Sequence, residues 1–167
     1  MASAGLSHGE LTVRDLQCSV YFSCDLLGWR VIQEGTERDL PDSQSYDGIF
    51  ERPSRQFRFV VLHASAEPIG PYGMGTGAPI IVLLEPQDPS PAGASIKADQ
   101  VGITHIGLWV HDLDAVYADL QRQGVKFVVP PHTLLKTSTG DVRSAVSHDP
   151  DDILIQLDEI RANTREE

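Results

Sequence analysis

The chain has 167 residues, a length that fits one large domain or two small modules sharing a core. Its 13 basic and 24 acidic residues give a formal net charge of −11, which argues against nucleic acid and anionic membrane as partners because both are bound through Lys and Arg patches. The longest apolar run, Ile80 to Leu84, is far too short to span a bilayer.

The N-terminal segment and the cysteines indicate where the protein resides. Residues 1–5 carry neither a basic segment nor an apolar core, so we expect no secretory signal. Cys18 and Cys24 fall on one predicted helix, where six residues rise about 9 Å, whereas disulfide-bonded Cα atoms lie within about 7 Å. We therefore predict two free thiols and a cytoplasmic location.

The first half of the chain is predicted to contain one helix and four strands. The expected elements are a strand over 7–14, a helix over 15–27, and strands over 29–33, 57–62 and 80–84. Residues 34–55 are polar and irregular, with a brief strand predicted at Ile49–Phe50. The loop 64–77 contains four Gly and two Pro, and its Gly73–Gly77 stretch is predicted to act as a lid.

The second half repeats this order after a linker rich in Pro, Ser and Gly. The expected elements are a strand over 103–110, a helix over 113–123, strands over 125–129, 133–137, 142–148 and 152–157, and a turn through Pro130-Pro131. The sequence thus divides into a first βαβββ module (1–85), a linker (86–101), a second βαβββ module (102–159) and a flexible tail (160–167).

A nine-residue phrase occurs once in each half, at His8–Leu16 and at His105–Leu113. Both copies have Leu three residues after the histidine, Val five after it, and Asp-Leu seven and eight after it. Strand alternation places each histidine on the face opposite the Leu and Val. The Asp of each copy, Asp15 or Asp112, suits a helix N-cap, and Gly28 and Gly124 suit the C-caps.

These repeated phrases, together with Asp149–Leu157 and Asp25–Trp29, resemble the vicinal oxygen chelate superfamily. That superfamily groups glyoxalase I, extradiol dioxygenases, methylmalonyl-CoA epimerase, and bleomycin and fosfomycin resistance proteins. The resemblance covers roughly residues 7–159. It implies an α+β fold in which two tandem βαβββ modules form a curved, partly closed mixed sheet around a cleft, and it implies a homodimer. Whether one chain or two form the cleft is open.

The resemblance also implies a metal site. Members that bind a divalent metal take ligands from the first and last strand of each module, which fall here at His8, Val82, His105 and Gln156. Valine cannot coordinate a metal, so the implied ligands are His8, His105 and Gln156. Imidazole nitrogens suit Zn, Ni, Fe and Co, and the amide oxygen of Gln156 is an acceptable partner. The implied cofactor is a divalent metal, namely Zn, Ni, Co, Mn or Fe.

Glu10 is the candidate catalytic base. It lies two residues after His8 on the same face of the strand, about 6.5–7 Å along it. Val82 and Gln156 stand where the resemblance implies acidic residues, and Glu10 could replace such a carboxylate as a base or as a ligand. Asp158, two residues beyond Gln156, is the alternative carboxylate. Trp109, Val82 and His63 are predicted to line a substrate pocket, although packing in the core explains a tryptophan nearly as well.

Three functions remain open at this stage. The first is a metal-dependent isomerase, epimerase or lyase of the glyoxalase type, in which the metal chelates two adjacent oxygens of a small-molecule substrate. The second is a metal-free protein of the bleomycin resistance type that binds a drug or metabolite, for which the acidic chain favours a cationic ligand. The third, an Fe(II) ring-cleaving dioxygenase, is disfavoured because Gln156 stands where that site needs a carboxylate.

Overall fold

The computed structural model describes residues 6–40, 48–51, 56–64, 79–137 and 140–162. The chain divides into two compact units, and the division after the first sheet falls between Gly93 and Ala94, inside the predicted linker 86–101. In the described residues, no helix is long and apolar enough to cross a membrane. The two free cysteines agree with the prediction that no disulfide forms.

The first unit contains four strands and one principal helix. Its elements are β1 (His8–Thr12), α1 (Leu16–Val20), β2 (Arg30–Thr36), β3 (Phe57–His63) and β4 (Ile80–Pro86). The strands form one sheet in the order β1-β4-β3-β2. β1 is parallel to β4, whereas the other two pairs are antiparallel. The first strand of the unit therefore lies beside its last strand.

The second unit has the same arrangement. Its elements are β5 (His105–Trp109), α2 (Leu113–Arg122), β6 (Phe127–Lys136), β7 (Gly140–His148) and β8 (Leu154–Ala162). The sheet order is β5-β8-β7-β6, with β5 parallel to β8. The predicted tandem βαβββ modules are confirmed. Each forms its own mixed sheet, and neither sheet closes on itself within the described strands.

The helix boundaries follow the predicted caps. The side chains of Asp15 and Asp112 accept the backbone N–H three residues on, at 3.0 and 3.1 Å. Gly28 and Gly124 follow the helices with φ angles of 73° and 86°, a conformation that glycine adopts without a steric penalty. These interactions fix the turn that carries each histidine strand into its helix.

The first unit differs from the prediction in three places. The helix expected over 15–27 is α-helical only to Val20 and continues as a π-helical segment, Tyr21–Leu26. β2 extends to Thr36, where a Thr36–Asp39 capping box ends it in a short 3₁₀ helix. The brief strand predicted at Ile49–Phe50 is wrong, since residues 48–49 form a 3₁₀ turn. The predicted lid Gly73–Gly77 lies outside the described residues.

The second unit corrects two boundaries. The predicted turn at Pro130-Pro131 is wrong, because β6 runs through both prolines as one irregular strand with register shifts on either side. β6 is an edge strand, where the missing N–H of proline is tolerated. The last strand reaches Ala162, which pairs with Gly140, so the predicted flexible tail 160–167 begins at least three residues too early.

An Arg–Glu pair with a buried glutamate joins the last two strands of the first unit on the side that faces the helix. Arg58 Nε donates to Glu85 Oε2 at 2.6 Å. Glu85 is only 9% exposed, and its other oxygen accepts the Leu16 N–H at the start of α1, at 3.3 Å. One carboxylate therefore connects two strands to the N-terminus of the helix, where negative charge is favourable.

The second unit repeats this pair at the matching register. Arg143 Nη1 donates to Glu159 Oε2 at 3.2 Å. These two residues are register partners in the second sheet, as Arg58 and Glu85 are in the first. Here the arginine itself reaches the helix, because its two terminal nitrogens donate to the two oxygens of Asp114, both at 2.7 Å. Both units thus use an ion pair to attach the helix to the sheet.

The two pairs predict unequal effects of the same substitution. We expect Glu85→Gln to lower the free energy of unfolding by about 1–3 kcal/mol, because Arg58 loses its charged partner and a largely buried hydrogen-bonded carboxylate is removed. Glu159→Gln should cost less, about 1 kcal/mol or below, because Arg143 keeps its bidentate pair with Asp114. Urea denaturation of both variants measures the difference. An equal loss, or a larger loss for Glu159→Gln, would contradict this account.

The turn between β7 and β8 contains a partly buried carboxyl group. Asp149 Oδ1 accepts the N–H groups of Asp151 and Ile153, both at 2.8 Å. Burial raises the pKa of Asp149 to about 6, and the neighbouring charges of Asp151 and Asp152 add to the rise. The two backbone hydrogen bonds act in the opposite direction but do not offset the loss of hydration.

This raised pKa predicts a pH-dependent loss of stability. The folded-state pKa of about 6 exceeds the unfolded value of about 3.9, so the unfolded chain releases this proton first and the folded state loses stability as pH rises from about 4 to about 6. Asp149→Asn keeps the acceptor oxygen and removes the charge. We expect its free energy of unfolding to exceed that of the wild type by about 1 kcal/mol at pH 7.5, after allowance for solvent screening, and by less at pH 4.5. A pH-independent difference in urea midpoints would refute the assignment.

Candidate functional site

A cavity of about 200 Å³ lies on the face of the first sheet that is turned away from α1. Strands β1, β3 and β4 form its floor, and residues before β3 complete its wall. The described residues that line it are His8, Glu10, Leu40, Ile49, Phe50, Phe57, Phe59, Val61, Val82 and Leu84. Two of these ten side chains are polar, and both come from the first copy of the repeated phrase.

The strand register explains why these side chains meet. Glu10 is paired with Val82 across the parallel β1–β4 ladder, and Val82 is paired with Val61 of β3. Register partners in neighbouring strands point to the same face of a sheet and lie about 4.8 Å apart. One step of two residues further along, Leu84 and Phe59 form the next pair. Each row of register partners across the strands forms one level of the cavity wall. One level contains Glu10, Val82 and Val61, and the adjoining level contains Leu84 and the aromatic ring of Phe59.

The polar end of the cavity is formed by His8 and Glu10. The Nδ1 atom of His8 is hydrogen-bonded to the Ser7 hydroxyl at 3.0 Å, so Nε2 is the nitrogen left for another partner. Burial raises the pKa of the Glu10 carboxyl, and the charge of a protonated His8 opposes this rise more weakly. The side chain of Glu10 is nevertheless exposed, which leaves its carboxylate accessible from the cavity.

The opposite end of the cavity is aromatic. Phe57 and Phe59 are two residues apart on β3 and are both buried. The ring of Phe50 stacks on Phe57, with centroids 6.4 Å apart and an angle of 29° between the planes. Leu84 joins this cluster, and the half-buried Val82 packs against it. The cavity therefore offers an apolar surface at one end and two polar side chains at the other.

The second unit carries the matching histidine on β5. The Nδ1 atom of His105 is hydrogen-bonded to the hydroxyl of the preceding Thr104 at 3.0 Å, as His8 is to Ser7. Gly107 occupies the position equivalent to Glu10 and is the register partner of Gln156. His105 and Gln156 therefore project from adjacent strands on the same face of the second sheet.

Gln156 belongs to a hydrogen-bonded group on that face. Its Nε2 donates to both carboxylate oxygens of Asp158, at 3.0 and 3.1 Å. The hydroxyl of Ser144, which is 1% exposed, donates to Asp158 Oδ1 at 2.7 Å. These contacts direct the amide nitrogen of Gln156 towards Asp158 and leave its Oε1 to accept from elsewhere. Gln156, Asp158 and Ser144 occupy the positions that are equivalent to Val82, Leu84 and Phe59 of the first unit.

The predicted site residues are distributed over both units. His8, Glu10 and Val82 lie together in the cavity of the first unit. His63 is on the same face, one step beyond, where it pairs with Ile80 and its Nδ1 lies 3.4 Å from Arg30 Nη2. It is not among the described lining residues. Trp109 is on β5 of the second unit, 39% exposed and paired with Asp158, and it too is not among the described lining residues.

Two kinds of residue were missed by the sequence interpretation. The first are the hydroxyl residues Ser7 and Thr104, which immediately precede the two histidines and could have been found by extending the repeated phrase one residue towards the N-terminus. The second are the aromatic residues of the cavity wall. Phe57 and Phe59 share the strand parity of Val61, so alternation puts them on one face of β3. Their position beside β4, one strand away from the histidine strand, depends on the sheet order.

Metal-binding residue types do not form a larger cluster in the described part of the chain. Across residues 6–40, 48–51, 56–64, 79–137 and 140–162, His, Cys, Asp and Glu side chains nowhere gather in a group of three that could hold a metal ion. The ligand set implied by the resemblance contains two histidines and a glutamine, and it draws on both units.

The sequence matches a family model, that of the Glyoxalase/Bleomycin resistance protein/Dioxygenase superfamily, over residues 5–157. The match spans both βαβββ units. The chain therefore belongs to this superfamily, which confirms the resemblance seen in the repeated phrases. A comparison with curated proteins finds no significant match.

Solved structures share the fold. A glyoxalase family protein from Bacillus cereus has a TM-score of 0.70 at 13% identity, with 96% of each chain covered. A glyoxylase/bleomycin resistance protein/dioxygenase domain from Frankia sp. EAN1pec has a TM-score of 0.60 at 22% identity, covering 96% of this chain and 100% of that one. The trypanothione-dependent glyoxalase I of Leishmania major has a TM-score of 0.56 at 22% identity, covering 93% and 86%. At these identities the similarity establishes the fold alone.

Proposed function

We propose that the protein is a divalent-metal-dependent enzyme that moves a proton beside two adjacent oxygens of a small molecule, as an isomerase, epimerase or lyase. The observation that supports this most is the position of Glu10. It is a carboxylate at the polar end of a cavity that is otherwise apolar, next to a histidine of the repeated phrase. Homodimerisation is proposed from membership of the superfamily.

Glu10 replaces, from a neighbouring strand, the carboxylate that is missing from β4. The resemblance places a ligand or base at position 82, where this chain has valine. Glu10 is the register partner of Val82 on β1, and partners in a ladder lie about 4.8 Å apart on the same face. A glutamate side chain spans such a distance. The carboxylate thus reaches the same region of the cavity from the strand that also carries His8.

His8, His105 and Gln156 carry donor types that divalent metals accept, namely two imidazole nitrogens and one amide oxygen. In both histidines Nδ1 is engaged by a hydroxyl, which orients the ring and leaves Nε2 available, a usual arrangement for metal-binding histidines. The hydrogen bond from Gln156 Nε2 to Asp158 orients the amide so that Oε1 is available as a metal ligand. When bound, the metal would supply a Lewis acid that polarises the substrate oxygens.

In this proposal Glu10 transfers the proton. Its carboxylate removes hydrogen from the carbon next to the substrate carbonyl, and the electron pair of the broken C–H bond moves onto the carbonyl oxygen to give an enediolate. Glu10 then returns the proton to the neighbouring carbon, which completes an isomerisation. The buried rings of Phe57 and Phe59 exclude water from the other end of the cavity and hold the apolar part of the substrate.

A metal-free ligand-binding protein is the second candidate. The observation that favours it is the lining itself, in which eight of ten side chains are apolar and Val82 replaces a ligand position. Such a protein would bind its ligand tightly and stoichiometrically after treatment with a chelator, and it would not convert the ligand to product. Turnover, or binding that requires a metal, excludes this candidate.

The proposal predicts that the two histidines retain metal. After separate equilibration with Zn, Ni, Co, Mn or Fe(II) and removal of free ions, we expect the wild type to retain at least one of these metals. His8→Ala and His105→Ala should each lower the affinity by roughly 10-fold or more, because each removes a nitrogen donor. His132→Ala is the matched control, since this exposed histidine lies on β6 and contacts the Pro130 carbonyl oxygen. The metal assignment would be refuted if the wild-type protein retained none of the five metals, or if only the control variant lost metal affinity.

The second prediction concerns Glu10 as the base. Incubation in D₂O with hydroxyacetone or 2-hydroxyacetophenone should exchange the C–H beside the carbonyl, as followed by proton NMR. Glu10→Gln should slow this exchange by about 10²-fold or more, the usual contribution of a general base. Glu34→Gln is the control, because its register with Val60 places Glu34 on the opposite face of the same sheet. Equal exchange by wild type and Glu10→Gln would remove Glu10 from the mechanism.

A further inference from the structure

The walls of the cavity specify the ligand more closely, on the basis of the proposed function. We propose that the substrate is a neutral compound with a single aromatic ring and two adjacent oxygens on a short carbon chain. Its ring would lie against Phe57 and Phe59, and its oxygens would lie at the level of Glu10. The size, the spacing and the charge of the cavity each support this assignment.

The size accommodates one ring and a short substituent. The cavity has a volume of about 200 Å³, whereas an engineered apolar cavity of roughly 150 Å³ in another protein binds benzene. The described walls can therefore surround one ring and a few more heavy atoms.

The spacing of the two levels matches such a molecule. Glu10, Val82 and Val61 form one level across three strands, and Leu84 and Phe59 form part of the next. Two residues along a strand separate these levels by about 6.5–7 Å. A ring placed at the aromatic level would therefore hold a two-carbon head group at the level of Glu10. Aromatic side chains favour this placement because ring pairs gain energy beyond the area that they bury.

The charges disfavour an anionic ligand in the metal-free cavity. Glu10 is the one carboxylate among the described lining residues, and His8 is the one side chain there that can carry positive charge. The whole chain carries a net charge of −11. Without a metal, a ligand with its own carboxylate would meet repulsion from Glu10 and from this overall field, whereas a hydroxyl group can donate a hydrogen bond to Glu10.

Gly35 on β2 sets the depth of the aromatic end. It is the register partner of Phe59, and a Cβ atom built at Gly35 would lie 2.6 Å from Phe59 Cζ. Such a contact is too close, so the absence of a side chain is what allows the ring to lean over β2. An alanine at this position would displace the ring away from β2 and into the cavity. Gly35 thus determines ligand size without lining the cavity itself.

The test compares three probes on the chelator-treated protein by isothermal titration calorimetry, so that the metal does not contribute to binding. 2-Hydroxyacetophenone has the ring and the vicinal oxygens, hydroxyacetone has a methyl group in place of the ring, and mandelate has the ring with a carboxylate. We expect 2-hydroxyacetophenone to bind at least ~10-fold more tightly than hydroxyacetone, as burial of a phenyl group implies, and more tightly than mandelate. Equal affinity for the first two probes, or tightest binding of mandelate, would overturn the proposal.

The variant Gly35→Ala gives an independent measurement. It should lower the affinity for 2-hydroxyacetophenone by about 10-fold, whereas the affinity for hydroxyacetone should stay within about 2-fold of the wild-type value. Gly48→Ala is the matched control, because a Cβ there meets no atom within 4 Å. If Gly35→Ala does not fold, Phe59→Leu tests the same contact and should weaken only the aromatic ligands. A parallel loss of both hydroxy ketones, or no loss, would contradict the assignment of the ring site.

The outcome is separable from that of the proposed function. Selective binding of 2-hydroxyacetophenone without deuterium exchange would leave the ligand class standing and refute the proton-transfer activity. Exchange that depends on Glu10 but shows no preference for the aromatic ketone in binding would support the activity and overturn the ligand class.

Discussion

The parallel pairing of the first and last strand in each unit is the constraint on which the site depends. The chain leaves β1 through a capped turn, crosses the sheet as a helix, and returns through β2 and β3 before β4 is laid beside β1. The side chains of the histidine strand therefore meet those of a strand that is distant in sequence. The Arg58–Glu85 pair, with its hydrogen bond to the start of α1, fixes the helix over the opposite face of the same strands.

The two units share this architecture, but they differ on the sheet faces that are turned away from the helices. Both have a hydroxyl residue, a histidine, an Asp N-cap and an Arg–Glu pair at equivalent positions. The first unit combines a glutamate with aromatic and aliphatic walls, whereas the second has Gly107, Gln156, Asp158 and the buried Ser144 at the corresponding positions. The first face is thus mainly apolar, whereas the second presents hydrogen-bonding groups held in fixed orientations.

Much of the fold was predictable because its signals are local. Strand alternation, the aspartate N-caps and the glycines after each helix gave the element types, and the repeated phrase gave the duplication and the family. The errors have physical reasons. Pro130-Pro131 suggests a turn unless one knows that β6 is an edge strand, and the length of β8 depends on its pairing with Gly140. The histidines and Glu10 were found as candidates, but the aromatic wall depends on strand order, which alternation alone does not reveal.

The register of Glu10 with Val82 lets either of two strands supply a side chain to one place on the sheet. β1 is an edge strand of its sheet, so β4 is its single neighbour in the described ladder, and paired side chains on the two strands reach the same region without any movement of the backbone. The place of a chemical group on this face is therefore set by the pairing of the strands, and two residues that are distant in sequence are equivalent sources of it.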